Sequence, residues 1–140
     1  MATAAELGTK YFELLSEGRV EEAAALLSPD VRFASPAGNF QGSEPAAAFL
    51  QVYFTAFPDA RFEIDATTEG PSSAAMEGIY AGTNTGPMVT PAGDVPPTGK
   101  VVSVPFVTVL ETDGERLTAH RAYWDQLGFL TQLGLVPAQG

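Results

Sequence analysis

The apolar positions in the first part of the chain recur at helical spacing. The first such group, followed by Gly18 as a stop signal, consists of Leu7, Tyr11, Leu14 and Leu15. A shorter stretch with the same period runs from Val20 to Leu27 and ends at Ser28-Pro29, because proline cannot continue a helix. The pattern therefore predicts two N-terminal helices, the second of them short.

A third helix is predicted after a short strand. Val31 to Ala34 has the apolar character of a strand, and Ser35 to Gly42 is predicted to be a loop. Helical spacing resumes near Ser43 and stops at Pro58. The apolar stripe of this helix is wide and rich in aromatic residues, and it contains Ala46, Leu50, Tyr53, Phe54 and Phe57.

The period changes from helical spacing to strand alternation at Arg61. Apolar and polar residues alternate from Arg61 to Ala66, and Ala74 to Ala81 is predicted to be the next strand. Two long strands, Lys100 to Thr112 and Glu115 to Trp124, are joined by Asp113-Gly114, a strong hairpin signal. The second half of the chain should form an antiparallel sheet.

Two further segments complete the prediction. Gly82 to Gly99 is rich in Gly, Thr and Pro and is long for a hairpin connection, and such loops are often functional lids. After the last strand, Leu127, Leu130 and Leu133 return to helical spacing, which predicts a short C-terminal helix.

Three helices followed by long antiparallel strands predict a single α+β domain over residues 1–140. One curved, mainly antiparallel sheet would carry the helices on its concave side. A curved sheet covered by helices can enclose a pocket, and the wide aromatic stripe of the third helix would make that pocket apolar. The length of 140 residues suits one core.

Charge and composition exclude several classes of partner. Acidic residues outnumber basic ones 17 to 7, and the basic residues are scattered, which argues against nucleic acid and anionic membranes. No apolar run approaches the roughly 20 residues that span a bilayer. The first residues lack the features of a secretory signal, so we expect a cytoplasmic protein.

The chain offers few ligands for a metal. It contains no cysteine, and His120 is its single imidazole. We therefore expect no transition-metal site and no cofactor.

The C-terminal part of the sequence resembles a known enzyme family. The segment His120 to Gly134, HRAYWDQLGFLTQLG, is similar to the C-terminal signature of the SnoaL-like polyketide cyclases, in the nuclear transport factor 2-like superfamily. Three shorter stretches also resemble that family: Phe57-Pro58-Asp59, Gly82 to Gly86, and Pro97 to Lys100. The resemblance implies a cone-shaped α+β barrel with a mostly hydrophobic pocket. It also implies a homodimer or larger homo-oligomer formed through the outer sheet face.

Asp125 matches the catalytic aspartate of that family. The resemblance implies that it serves as general acid/base in an intramolecular aldol ring closure. A carboxylate in an apolar cavity is desolvated, which would raise the pKa of Asp125 toward the range useful for proton transfer. Alternatively, Asp125 is the N-cap of the final helix, where backbone N–H groups would lower its pKa.

Strand alternation extends the prediction to the neighbours of Asp125. With a period of two, Arg121 and Tyr123 share the face of Asp125, whereas His120, Ala122 and Trp124 point the other way. If Asp125 faces the pocket, Arg121 and Tyr123 should line it as substrate-binding residues. On the opposite face, we expect His120 to make a structural hydrogen bond and Trp124 to lie in the core or at a subunit interface.

Further substrate-binding candidates come from the tyrosines, the polar side chains and the long strand. Tyr53 and Tyr80, like Tyr11 and Tyr123, could donate a hydrogen bond to a carbonyl or enolate oxygen. Alignment with the family suggests that the strand face with Phe106 and Thr108 lines the cavity. Thr108 and Asn84 stand where many relatives carry an acid or a histidine. Weaker candidates for orienting a substrate are Asn39, Gln51, Asn84 and Thr108.

These features predict a cofactor-free cyclase of secondary metabolism, such as antibiotic biosynthesis, of the lyase or isomerase type. Its substrate would be a large, hydrophobic, polyketide-like small molecule. Two alternatives stay open. The protein could be an epoxide-opening or pericyclic cyclase that relies mainly on pocket shape, or a binding module for a hydrophobic ligand without catalysis.

Overall fold

The computed structural model describes residues 2–90 and 93–136 and places helices against one face of a six-stranded sheet. The helices are α1 (Ala4–Ser16), α2 (Val20–Ala24), α3 (Ser43–Ala56) and α4 (Gln126–Gln132). The strands are β1 (Leu27–Ser35), β2 (Gly38–Gln41), β3 (Arg61–Glu69), β4 (Ser73–Thr83), β5 (Met88–Thr90), β6 (Gly93–Val95), β7 (Val101–Thr112) and β8 (Leu117–Trp124).

The strand order of the large sheet is β2-β1-β8-β7-β4-β3, and β5 and β6 form a separate hairpin. All neighbouring strands are antiparallel except β1 and β8, which run parallel. The last strand of the chain thus lies in the interior of the sheet, between β1 and β7. This arrangement confirms the predicted α+β class, with its mainly antiparallel sheet, three N-terminal helices and short C-terminal helix.

Helix α1 is fixed at its start and lies close to the sheet. The Thr3 hydroxyl accepts a hydrogen bond from the Glu6 N–H, and the Glu6 carboxylate accepts one from the Thr3 N–H, both at 3.1 Å. Farther along, a side chain at Gly8 would place its Cβ 2.5 Å from Met76 Sδ and 2.6 Å from Leu110 Cδ1. Glycine at this position therefore allows the helix to approach the concave face.

The first predicted loop contains a strand. Ser35 to Gly42 includes β2, which pairs with β1 through a tight turn. In that turn the Ser35 hydroxyl donates to the Gly38 carbonyl at 2.9 Å and accepts from the Ala37 N–H at 3.2 Å. Only Phe40 is a large apolar residue in β2, so the alternation is too short to be recognised in the sequence.

Two other boundaries also differ from the prediction. Leu27 begins β1 instead of ending α2, and the pairing of β1 with β8 is irregular between Leu27 and Arg32. Pro29 lies in this irregular part, where its missing N–H costs no ladder hydrogen bond. The predicted loop Gly82 to Gly99 contains the β5–β6 hairpin, and its residues 91 and 92 lie outside the described residues.

The core lies between the concave face of the sheet and the helices. Its largest fully buried side chains include Tyr11 of α1, Phe57 at the end of α3 and Phe129 of α4. Within residues 2–90 and 93–136, none of the helices has the length and apolar character needed to cross a membrane.

Candidate functional site

A cavity of about 80 Å³ lies between the concave face of the sheet and helices α1, α3 and α4. Eleven of its seventeen lining residues are Phe, Tyr or Trp, and none carries a carboxylate. The lining consists of Tyr11, Phe12, Leu15, Phe33, Phe49, Leu50, Tyr53, Phe54, Phe62, Tyr80, Val104, Phe106, Thr108, His120, Ala122, Trp124 and Phe129. The cavity is therefore apolar, with a few polar atoms set among aromatic rings.

The register of β7 and β8 decides which residues of β8 reach the cavity. Phe106 pairs with Trp124, and Thr108 pairs with Ala122. Directly paired residues of an antiparallel ladder have their side chains on the same face. Because Phe106 and Thr108 face inward, Trp124 and Ala122 do so too, and alternation adds His120.

His120 is the single imidazole of the chain and is 4% exposed. Its ring stacks on Phe33, with centroids 4.1 Å apart and planes 14° apart, and it meets the Tyr11 ring edge-on at 5.4 Å. Its Nδ1 atom has no hydrogen-bond partner among the described residues. Burial lowers the pKa of His120 to about 4, so the imidazole is neutral at pH 7.

Two buried tyrosine hydroxyls, like His120 Nδ1, lack a hydrogen-bond partner among the described residues. The Tyr11 and Tyr80 hydroxyls are buried and find no partner within the described part of the chain. Burial raises the pKa of both residues, and it raises the pKa of Tyr53 to about 12. All three hydroxyls are therefore protonated at neutral pH and can donate a hydrogen bond. Buried polar atoms normally have a hydrogen-bond partner, so the Tyr11 and Tyr80 hydroxyls each have the capacity for one further hydrogen bond.

The structure places four of the predicted substrate-binding residues in the cavity lining. They are Tyr53 on α3, Tyr80 on β4, and Phe106 and Thr108 on β7. Thr108 is fully buried, whereas Tyr53 and Tyr80 are half-buried.

The expectation that Asp125 faces the pocket is wrong. Asp125 is exposed and caps α4, where its carboxylate accepts a hydrogen bond from the Gly128 N–H at 2.9 Å. Strand β8 ends at Trp124, so the alternation of the strand does not extend to Asp125. The carboxylate is held by the backbone of the helix that follows, as in the capping alternative.

Arg121 and Tyr123 also lie outside the cavity, on the outer face of the sheet. The Arg121 guanidinium forms an ion pair with Glu111 of β7, and its hydrogen bond holds the pKa of Glu111 below its usual range. Tyr123 is 53% exposed. The inward face of β8 was predicted from the expectation that Asp125 faces the pocket, and because that expectation is wrong, the alternation assigned Arg121 and Tyr123 to the wrong face; the pairing of β8 with β7 places them outside.

Asn39 and Gln51 do not contact the cavity either. Asn39 is exposed on β2, where its side-chain oxygen accepts from the Ser35 N–H at 3.3 Å. It lies with Arg121 in a shallow cleft on the outer surface, so these two predicted residues meet, but away from the cavity. Gln51 is on the solvent side of α3 and donates to the Thr55 hydroxyl at 3.4 Å.

Asn84 is buried, but it joins chain segments instead of lining the cavity. Its amide nitrogen donates to the carbonyls of Ala56 and Gly86, at 3.1 and 3.0 Å. Its oxygen accepts from the N–H and the hydroxyl of Thr98, both at 2.9 Å. The expectation that Asn84 orients a substrate is therefore wrong, because both ends of its amide are occupied within the chain.

Replacing Asn84 by Asp should destabilise the fold strongly. The substitution keeps the shape but removes both N–H donors and leaves the Ala56 and Gly86 carbonyls facing a carboxylate. We expect a loss of about 3 kcal/mol in the free energy of unfolding, measured by urea denaturation. Asn39→Asp on the surface is the matched control and should change stability by less than about 0.5 kcal/mol. Equal effects at the two positions would contradict this role of Asn84.

The residues that sequence reasoning missed are on the inner face of β8. His120, Ala122 and Trp124 were predicted to point away from the pocket, and all three line it. The available signal was the inward face of β7, which was predicted correctly. Pairing that face with β8 in the right register would have identified them.

Comparison with known proteins defines the class to which this fold and cavity belong. No curated protein matches the chain. A candidate SnoaL-like polyketide cyclase from Jannaschia sp. CCS1 is 23% identical and superposes with a TM-score of 0.82, covering 96% of this chain and 93% of the other. AclR, a candidate hydroxylase from Streptomyces galilaeus, is 20% identical with a TM-score of 0.80, covering 99% and 91%.

A third structure extends the same likeness. It is a protein with a ketosteroid isomerase-like fold from Catenulispora acidiphila, in complex with trimethylamine; it is 20% identical, with a TM-score of 0.78 and 96% of both chains covered. Identities of this size show that the fold is shared. The family model of the SnoaL-like polyketide cyclases matches residues 5–133. The chain therefore belongs to the SnoaL-like polyketide cyclase family.

Proposed function

We propose that this protein closes a ring in an uncharged, aromatic, polyketide-like ketone that binds in the cavity. The observation that carries the proposal is a contrast among the lining residues: the surface they present to the cavity is almost wholly apolar, yet the Tyr11 hydroxyl, the Tyr80 hydroxyl and His120 Nδ1 are buried with no hydrogen-bond partner among the described residues. When the cavity widens to admit a ketone, the carbonyl and hydroxyl oxygens of that ketone would supply those partners.

The lining favours an uncharged substrate. Its aromatic rings offer stacking and edge contacts to a planar molecule. No Asp, Glu, Lys or Arg lines the cavity among the described residues. A charged group would lose its hydration there without compensation, which is costly. Neutral rings that bear ketone groups fit these surroundings.

The size of the cavity limits what can enter without movement. Its volume of about 80 Å³ is well below the roughly 300 Å³ at which ligand pockets begin. A large substrate therefore requires the cavity to widen. The half-buried rings of Phe49 and Tyr53 on α3 and of Trp124 on β8 belong to the lining and are the side chains that would move.

The proposed chemistry needs little beyond positioning and hydrogen bonds. Folding the substrate so that the reacting carbons meet supplies much of the acceleration of an intramolecular closure. Protonated tyrosine hydroxyls can stabilise the oxygen on which negative charge develops. No cofactor takes part in this proposal.

Trp124 provides a direct test of binding, because it is the single tryptophan of the chain and lines the cavity. We expect 2-tetralone, a fused-ring ketone, to change the fluorescence of Trp124 saturably. A second assay would follow ring closure of an aryl-substituted diketone by chromatography and mass spectrometry. Absence of any saturable change with fused-ring ketones would overturn the proposed substrate class.

A role of Asp125 in proton transfer stays a prediction, and the proposal assigns no step to it. To act in the cavity, its carboxylate would have to leave the Gly128 N–H. Asp125→Asn separates the roles, because Asn is an equally good N-cap but cannot carry the proton. We expect Asp125→Asn to unfold like the wild type and Asp125→Ala to lose about 1 kcal/mol. Loss of ring closure in Asp125→Asn at unchanged stability would restore the catalytic role.

A non-catalytic binding module is the second candidate function. It is favoured by the lack of a carboxylate in the described cavity lining, since relatives were expected to use one. The two assays distinguish the candidates: saturable binding without ring closure would indicate a binding module. An epoxide-opening or pericyclic cyclase would bind ketones but act only on its own substrate class.

We also propose that two or more copies associate through the outer sheet face. That face exposes Tyr123 and carries the half-buried Val107 and Val109. Val109→Glu would place a charge among these residues. We expect it to lower the molecular mass measured by light scattering to that of one chain, while an unchanged mass would contradict this interface.

A further inference from the structure

We infer that His120 accepts and returns the proton in the reaction proposed for the cavity. This inference rests on the proposed function and deepens it by naming the acid/base group. Among the described residues, the cavity lining contains no carboxylate, amine or guanidinium, so the imidazole of His120 is the one nitrogen base in that lining.

The position of His120 is well defined by its neighbours. Strand β8 lies between β1 and β7, and the imidazole stacks on Phe33 of β1 and meets the Tyr11 ring of α1 edge-on. On the β7 side its direct partner is Leu110, which is fully buried. These contacts place the ring in the cavity wall, where its Nδ1 atom is buried without a partner among the described residues, so the widening that admits a substrate must also expose a ring nitrogen.

The groups around His120 keep its imidazole neutral, so that it can accept a proton. The elements packed against it contribute Phe33, Leu110 and Tyr11, of which only Tyr11 can ionise, and it does so far above neutral pH. The other titratable groups of the cavity lining are Tyr53 and Tyr80. With no nearby negative charge to stabilise an imidazolium, burial keeps the imidazole neutral and able to accept a proton.

The step balances without any other reactant. An imidazole nitrogen takes a proton from the carbon next to a substrate ketone; the C–H bond breaks and its electron pair moves to the oxygen, which gives an enolate. The enolate carbon attacks a second carbonyl of the same molecule and forms the ring C–C bond. The resulting alkoxide takes the proton back from the imidazolium, which restores neutral His120.

Tyrosine hydroxyls are positioned to assist the charge that develops. The Tyr11 ring lies 5.4 Å from the His120 ring, centroid to centroid, and its hydroxyl has no partner in the described part of the chain. A proton acceptor and a hydrogen-bond donor in one apolar cavity form the pair that enolisation requires. Enolate stabilisation would also favour full proton transfer to an imidazole of low basicity.

The proton-abstraction step can be tested without the natural substrate. Exchange of the α-hydrogens of 2-tetralone in D₂O, followed by proton NMR, reports C–H cleavage, while Trp124 fluorescence reports binding. We expect His120→Gln and His120→Ala to bind the ketone within threefold of the wild type and to lose roughly 100-fold or more of the protein-dependent exchange rate. Added imidazole should restore exchange in His120→Ala, where space is available, but not in His120→Gln.

The possible results distinguish a failure of the role proposed for His120 from a failure of the proposed function. Binding with undiminished exchange in His120→Gln overturns the role of His120 and leaves the proposed function standing. Rescue by imidazole supports proton transfer, because a purely structural histidine would not be replaced by a free base. If circular dichroism shows that His120→Ala is unfolded, His120→Gln and the pH profile decide. The exchange rate of the wild type should stay constant until the pH approaches the lowered pKa of His120 of about 4. A rate that falls tenfold per pH unit as soon as the pH drops below 6.5 would contradict a buried base. Absence of 2-tetralone binding by the wild type overturns the proposed substrate class and this inference with it.

Discussion

Replacement of Ala122 by Phe should abolish binding of aromatic ketones while the fold persists. Ala122 is buried on the inner face of β8 and lines the cavity opposite α3 and α4. A phenyl ring at this position occupies the space of about 80 Å³ that a ligand needs. Because the ring enters a space that is already apolar, the cost of overpacking should stay at or below about 1–3 kcal/mol.

The measurement is a titration of Trp124 fluorescence with 2-tetralone, and we expect at least roughly a 100-fold loss of affinity, about 2.7 kcal/mol. Ala48→Phe is the matched control. Ala48 is exposed on α3, away from the outer sheet face, so it adds the same ring without entering the cavity. Equal affinities of the two variants would show that ligands bind elsewhere.

Acid should destabilise the wild type more than a variant that lacks the buried histidine. The pKa of His120 falls from 6.5 in the unfolded chain to about 4 in the fold, because burial disfavours the charged form. Between these two pH values the unfolded state binds a proton that the folded state does not, so stability decreases as the pH decreases. Above pH 6.5 both states are neutral at this residue, and it contributes no pH dependence.

At about 1.4 kcal/mol per pH unit, the two pKa values predict a loss of about 3 kcal/mol between pH 7 and pH 4. His120→Phe retains an aromatic ring and cannot be protonated. Urea denaturation at both pH values would give the loss for each protein, and subtraction removes the shared contribution of the carboxylates. A difference near zero would mean that His120 is accessible to protons in the fold.

The helices and the long strands could be predicted because each has a strong local pattern. The helical spacing in α1 and α3 and the alternation in β3 are properties of short segments, and tertiary packing agrees with them. The strands that lie in segments predicted as loops, β2, β5 and β6, are only three or four residues long. Their existence depends on pairing partners, which a local pattern does not contain.

The candidate site was predicted less well than the fold, and a bulge shows why the register of the β7–β8 hairpin would not have corrected the prediction. A two-residue turn at Asp113-Gly114 would pair β7 and β8 so that Arg121 and Tyr123 faced inward with Phe106. The connection is wider, with the Asp113 N–H donating to the Arg116 carbonyl at 3.3 Å, and the bulge follows it. A shift of one residue exchanges the two faces of a strand, so His120 and Trp124 replaced the predicted residues.

The expectation for Asp125 had a different origin. It was implied by a family motif, and a motif identifies a position in the sequence without specifying where its side chain points. The capping hydrogen bond to the Gly128 N–H is a local interaction that the helix start itself predicts. Here the local rule described the geometry, and the family resemblance described the class of protein.

The interior position of β8 has a consequence for how the chain folds during synthesis. The two strands that flank β8 are separated by residues 36–100, nearly half of the sequence, and they become joined only when β8 is available. Until β8 has left the ribosome, the β1–β2 hairpin and the β7–β4–β3 meander are two unconnected sheets with exposed edges. Contacts between such distant segments slow folding, so we expect nascent chains that stop before Leu117 to depend on chaperones.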